Sequence, residues 1–449
     1  SYDKGKSWKS MIYNLPSNQS VYDIAEDHIS ENLLFVGTEL GVFFSSNAGL
    51  EWKQLNSGLP TVAVRDLEIQ ERENDLVLAT FGRSFYVLDD YSPLRNIQAL
   101  KNEKAKIFPI KDALMFVDSR PLGLRGKGSQ GESLYNAENP PLGAVISYYF
   151  DDTLRTYKEK RQIAEKSKIK ENLDVKYPTI EDLRVEDREE KPYLLFTIYD
   201  NGGNEIRKII EKPKLGVNRV VWDFRYTAQT NIKLKSNKPG RYGEPSSGPL
   251  ALPGNYFVSM HKVENGIATL LVDKTSFKCS WLKNNSIPTN NTEELLAFQQ
   301  KVDRLRKAVD ASGKIMELDK KRIDFIESAF KTYPGLDLSY LDTLNEIDNQ
   351  RDQVSVMLYG DPSLSKRDIE QKEAVSSKVG IIIWNMWRNR SNPSSTNKML
   401  YETASNDFEI TVKRLQKLDE SIKNVENYLE ENEVPFTPGR GLILNWNKE

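Results

Sequence analysis

The chain has 449 residues and a mass of 51.5 kDa, too much for one hydrophobic core, so about two to four domains are expected. Lys+Arg 63 against Asp+Glu 65 leave a formal charge of -2, which supplies no field toward nucleic acid or an anionic membrane. The longest apolar run, Gly380-Ile381-Ile382-Ile383-Trp384, is far short of the roughly 20 residues of a bilayer-spanning helix, and no secretory h-region opens the sequence, so no membrane span and no nucleic-acid partner are expected. Cys279 is the only cysteine, which excludes an internal disulfide and a Cys-based zinc cluster. His28 and His261 lie in no ligand or triad motif, leaving carboxylates, Tyr, Lys and Arg as possible actors.

The first ninety residues repeat. The pattern S-x-[DN]-x-G-x-x-W occurs with Ser1, Asp3, Gly5 and Trp8 and again, 44 positions later, with Ser45, Asn47, Gly49 and Trp52, a spacing expected of propeller blades. Between and after these, residues 33–38 with 41–44, and 75–80 with 84–88, read as two strand pairs. In such a turn the Asp or Asn accepts backbone N–H groups, Gly takes a φ other residues avoid, and Trp folds back on the sheet. That chemistry closes a hairpin and is not an active site.

Both turns, followed by the run from Asp75 through Phe81-Gly82-Arg83 to Asp89-Asp90-Tyr91-Ser92-Pro93-Leu94, resemble the last blades of large bacterial sortilin-like proteins with Asp-box (BNR) repeats. Members often carry His before the Gly-Arg pair, where this chain has Phe81. The resemblance implies that residues 1–92 are terminal β-propeller blades. Closure takes about four to eight blades, so N-terminal blades missing from this sequence are the first expected partner, and the chain reads as the C-terminal part of a longer protein.

Candidate binding residues are Phe81, Arg83, Asp89 and Asp90. A Gly-Arg turn can present a guanidinium to a carboxylate ligand, while an internal salt bridge from Arg83 to Asp89 or Asp90 is the favoured reading. Asp89 and Asp90 are adjacent, point to opposite faces, and so make no catalytic pair. No catalytic residue, metal or cofactor is assigned; Asp200-Asn201-Gly202-Gly203-Asn204-Glu205 fails the calcium-loop spacing and reads as a hairpin turn.

Residues 93–140 read as a connector, with a Gly-rich stretch at 126–131 that lacks the phosphate-loop pattern. Strand signals at 143–150, 193–200, 205–210, 216–226, 254–262 and 268–273 predict an antiparallel β-sandwich of immunoglobulin or fibronectin type over 141–280, interrupted by a charged, partly helical insertion at 151–191. Trp222 is its predicted core anchor, and the segments around Trp222 and Tyr256 resemble the same bacterial family and Ig-like hook-capping domains. Apolar residues then recur at helical spacing, predicting a helical domain over 290–432 that starts at an N-cap Thr292, with further helices at 317–331, 338–359, 366–388 and 397–432 and a C-terminal tail at 433–449. The fold class expected is thus mixed and multidomain: β-propeller blades, an Ig-like sandwich, then an α-helical domain.

The resemblance implies an exported bacterial protein, periplasmic, outer-membrane-associated or extracellular, that acts as a binding or assembly module without catalysis in this region, with envelope proteins or glycans as further partners. Two alternatives are a glycoside hydrolase whose catalytic residues lie in the missing blades, which rests on fold analogy, and an accessory subunit of an outer-membrane uptake or secretion complex. Asp152-Thr153-Leu154 and Asp342-Thr343-Leu344 match a short bacterial O-glycosylation pattern.

Overall fold

The computed structural model describes all residues except 2, 117–136, 138, 233, 235–247, 283–288, 290, 388–389 and 442–449. The Gly-rich stretch at 126–131 and residues 442–449 of the tail therefore lie outside the described residues. The chain divides into two units, Ser1–Asp223 with Pro253–Trp281, and Phe224–Leu252 with Leu282–Glu449. The fold is mixed, β-rich with a helical C-terminal region.

The first unit opens with a four-stranded antiparallel sheet, in order β1 (Val21–Glu26), β2 (Leu34–Thr38), β3 (Gly41–Ser45) and β4 (Lys53–Leu55). A three-stranded sheet follows, β5 (Val64–Gln70), β6 (Asp75–Thr80) and β7 (Phe85–Leu88). Leu33, Phe35, Val42 and Phe44 from the first pack with Val64, Leu67, Leu76 and Leu78 from the second, while Leu34, Val36 and Phe43 on the opposite face pack with Trp52. Burial on both faces explains why β2 and β3 read as unbroken apolar runs. A Cβ on Gly37 would lie 2.7 Å from the Val64 carbonyl oxygen, so only glycine lets the two sheets approach this closely.

A 3-10 helix, Ser92–Asn102, follows. The segment expected as a structureless connector also supplies β8 (Ala105–Ile107) and β9 (Ala113–Met115), each too short to show a period. With β10 (Ala144–Phe150), β11 (Tyr193–Tyr199), β12 (Glu205–Glu211), β13 (Gly216–Trp222), β14 (Gly254–Glu264) and β15 (Ile267–Trp281) they form two sheets, β13-β10-β8 and β12-β11-β14-β15-β9. The pairing is antiparallel except that β9 runs parallel to β15, which corrects the all-antiparallel expectation. Trp222 on one sheet is fully buried against Tyr256 at 5.0 Å and Phe277 at 5.9 Å on the other, and Tyr148 meets Phe196 at 4.8 Å. Between β10 and β11 stand α1 (Tyr157–Lys170) and α2 (Ile180–Arg188), each opened by a capping box, Thr156 with Glu159 and Thr179 with Asp182.

The second unit contains α3 (Thr292–Thr332), α4 (Tyr340–Tyr359), α5 (Pro362–Ser365), α6 (Val375–Met386) and α7 (Ser395–Glu431). Three expectations are corrected. The Asn291 side chain, accepting the Glu294 N–H at 3.0 Å, is the N-cap in place of Thr292. The helix expected to start at Thr292 and the separate one expected at 317–331 are one: Gly313 stays in helix, and the Tyr359 hydroxyl occupies the space a Cβ would need. Residues 366–374 are not helical; Gln371 Oε1 instead accepts the Asp361 N–H at 2.7 Å, and Asp368 has a φ of 52°. Two apolar cores lie along α3 and α7. One gathers Leu295, Val302, Val354, Val379, Ile382 and Phe408, the other Ile326, Phe330, Leu344, Leu418, Ile422 and Leu429.

Candidate functional site

The two repeated turns share one wiring. Ser1 Oγ donates to Asp3 Oδ1 at 2.9 Å and accepts the Gly5 N–H at 2.7 Å, and Asp3 Oδ1 accepts the Ser7 N–H at 2.9 Å. Ser45 Oγ donates to Asn47 Oδ1 at 2.8 Å and accepts the Gly49 N–H at 2.8 Å, while Asn47 Oδ1 accepts the Glu51 N–H at 2.9 Å. Gly5 and Gly49 have φ of 84° and 81°, the left-handed region that glycine supplies at no steric cost. Hydrogen bonds from the Ser7 side chain and backbone hold the Asp3 carboxyl down to about 2. The tryptophans differ. Trp52 is 4% exposed and donates its indole N–H to the Met11 carbonyl at 2.8 Å, whereas Trp8 is 82% exposed, so the expected fold-back holds for one turn alone. No sheet of the described residues covers Trp8.

The salt bridge expected from Arg83 to Asp89 or Asp90 does not form. Arg83 stands at the tip of the turn from β6 to β7, exposed, and the length of β7 separates it from both acids. Their partner is Arg219 of β13, 129 residues from Asp90, which donates to the Asp90 carbonyl at 2.9 Å and to that of Asp89. Asp90 has a φ of 41°, its N–H goes to Asp75 Oδ1 at 2.9 Å, and its Oδ1 accepts the Ser92 hydroxyl at 2.6 Å. Burial, with the nearby charges of Asp75 and Asp90, pushes the Asp89 carboxyl up. These two residues shape the end of β7 and the entry to the 3-10 helix.

Phe81 does enter a cluster, with two residues that sequence patterns did not single out. The Arg65 guanidinium carbon lies 3.9 Å from the Tyr22 ring centroid and 5.4 Å from that of Phe81, a cation between two aromatic faces. Phe81 is 70% exposed and is tied by its N–H to the Ala63 carbonyl at 2.8 Å; Arg83 follows two positions on. Tyr22 and Arg65 occupy equivalent places. The register of β1 on β2 shifts between Val21 and Asp23, and that of β5 on β6 shifts between Val64 and Asp66, so each is the extra residue of a β-bulge, a device that re-aims a side chain. Asp23 Oδ2 accepts the Leu67 N–H at 2.8 Å and locks the two bulged strands together. The signal was present as Val21-Tyr22-Asp23-Ile24 and Val64-Arg65-Asp66-Leu67, 43 positions apart.

Past the opposite end of β1 from Tyr22 lies a buried ion pair. Asp27, with no side-chain exposure, receives Arg95 Nε at 2.7 Å and Nη2 at 2.7 Å, the Tyr91 hydroxyl at 2.6 Å and the Ser30 N–H at 2.8 Å. Burial alone would raise this carboxyl, but those donors outweigh it and hold it below its ordinary value. Arg95 Nη2 also reaches Asn74 Oδ1 at 2.6 Å, so the network joins β1, the turn from β5 to β6, and the 3-10 helix. Among the described residues no group of three or more His, Cys, Asp or Glu is arranged to hold a metal ion, and no helix is long and apolar enough to cross a membrane.

No protein-family model matches the chain, and no curated protein matches it. Among solved structures it is similar to the extracellular domain of a proposed one component system from B. thetaiotaomicron, at 11% identity over 62% of this chain and 28% of that one, with a TM-score of 0.16. The chain thus matches less than a third of that protein's length, and a likeness at this level carries no argument about fold or function.

Proposed function

We propose that this chain is a non-catalytic binding or assembly module, the C-terminal part of a bacterial sortilin-like β-propeller protein of the cell envelope, whether periplasmic, outer-membrane-associated or extracellular. In this reading the sheets β1–β4 and β5–β7 are terminal blades, the paired sheets from β8 to β15 an Ig-like sandwich, and the helical unit a further contact surface. The observation that carries it is the double repeat: identical turn wiring 44 residues apart and equivalent bulges 43 residues apart. Two such sheets are fewer than the about four to eight blades a ring requires. The remainder is supplied by further blades on the same polypeptide or on a partner, with envelope proteins or glycans bound at the assembled rim.

The test is the intact mass of the protein in its native source, with peptide mapping upstream of Ser1. Expected is a polypeptide well above 51.5 kDa whose upstream peptides carry further S-x-[DN]-x-G-x-x-W repeats, or a chain of this mass that co-purifies with a repeat-bearing partner. A stable monomer of this mass, with neither, overturns the reading.

A further inference from the structure

We infer that Tyr22, Arg65, Phe81 and Arg83 form a docking point for an acidic peptide segment of a protein partner, with Arg65 taking a side-chain carboxylate through two parallel hydrogen bonds; this rests on the reading of the chain as a binding module. The aromatic rings at 3.9 and 5.4 Å engage the guanidinium through their π faces, an interaction that consumes none of its five N–H donors. No ion pair or hydrogen bond among the described residues consumes them either, and the same holds for Arg83. The nearest acid on the neighbouring bulge, Asp23, is committed to the Leu67 N–H. A guanidinium held at the surface with no ion pair among the described residues, and a second one two positions after Phe81 in the same turn, match a carboxylate supplied from outside, and the planar fork suits it.

The geometry is set before the ligand arrives. The bulges aim Tyr22 and Arg65, the Asp23 to Leu67 bond fixes the two strands, and the Phe81 to Ala63 bond fixes the turn, so little side-chain freedom is lost on binding. The cluster stands on open surface with no walls to hold a small free acid. It continues into β7, an edge strand of its sheet whose Phe85 and Val87 are 71% and 54% exposed. Exposed aromatic rings, arginines and a free strand edge are what a polypeptide uses in docking; an acidic polysaccharide has no apolar side chains to set against Phe85 and Val87.

The experiment offers the full 449-residue chain to an array of heptapeptides alternating Asp or Glu with Val or Leu, to a matched array with Asn and Gln for the acids, and to oligogalacturonate. Expected is retention on acidic peptides about tenfold or more above the amide array, lost about tenfold or more in Arg65→Ala. Arg65→Lys, which keeps the charge and loses the fork, should fall nearly as far. Phe81→Ala and Arg83→Ala should fall less, all with an unchanged melting temperature. Equal retention on both arrays, or an Arg65→Ala variant that binds like the parent, overturns the inference. Oligogalacturonate held more tightly than any peptide, and lost in Arg65→Ala, also overturns it in favour of a sugar-acid partner. Upstream repeats found by mass without acidic-peptide binding would remove this inference alone, and binding without repeats or a repeat-bearing partner would remove the propeller reading alone.

Discussion

The two units bury charge in opposite ways. In the first, one carboxylate, Asp27, meets one guanidinium, and a phenol and an amide fill its remaining acceptor sites. In the second, one guanidinium serves three acids: Arg322 gives two bonds to Glu426 at 2.9 and 2.7 Å, one to Asp319 at 2.9 Å and one to Asp419 at 2.8 Å. That count leaves Asp319 Oδ2 buried with no hydrogen-bond partner among the described residues. Burial pushes the Asp319 carboxyl up despite Arg322, whereas hydrogen bonds from Lys423 and Arg322 hold Asp419, the more exposed acid, below its ordinary value. A matched fork keeps a charge; an oversubscribed one favours a proton on its driest member.

The comparison breaks first at Arg322. Arg322→Met would leave three carboxylates facing one another, and a loss of about 3–5 kcal/mol is expected, read as a fall in the urea midpoint of the helical far-UV signal. Asp27→Asn keeps one acceptor and removes the charge that Arg95 faces, so about 2–3 kcal/mol is expected, read as faster amide exchange across β1 and the 3-10 helix. Asp319→Asn should have the opposite sign at pH 7: a neutral side chain of the same shape still accepts from Arg322 and carries no buried charge. Stability should be unchanged or higher by up to about 1 kcal/mol.

Acid sharpens the contrast. Asp319 has its folded value raised above the ordinary 3.8, so the folded state takes up its proton first, and the penalty present at neutral pH is lifted as pH falls through the raised value. Asp27 has its folded value depressed below 3.8, so its contribution is full above the ordinary value and is lost as pH falls through the depressed one. Hydrogen exchange from pH 7 toward 4 should therefore show peptides around Asp319 gaining protection relative to Asp319→Asn, while peptides around Asp27 hold steady until below 4. Parallel pH profiles at the two sites would remove the distinction.

How far the sequence could be read depended on whether local period matched burial. β2 with β3 were legible as short unbroken apolar runs around a tight turn, β6 with β7 as a second strand pair, and most of the helices because their apolar residues recur at helical spacing. β1 and β5 were not. Their bulges slip the alternation by one, so that Val64 and Leu67, three apart, share the core, a spacing that resembles helix more than strand. The same slip hid Tyr22 and Arg65, while Phe81 and Arg83 stood out in a Gly-Arg turn. Distance in sequence hid the rest: Arg219 holds the Asp89-Asp90 turn from β13, and Tyr359 fills the space above Gly313 from the end of α4.

The hairpin of α1 and α2 has a practical consequence. Neither helix contains a buried residue; each begins at its own capping box, and Arg161 clasps Glu186 across the pair at 2.6 and 2.8 Å. Its order is thus self-supplied, and Tyr177 at its tip is 94% exposed. This is a built-in socket for handling the molecule: a dye, an affinity handle or a spin label at Tyr177, or an epitope in place of the tip, can report on the chain while every core side chain keeps its neighbours.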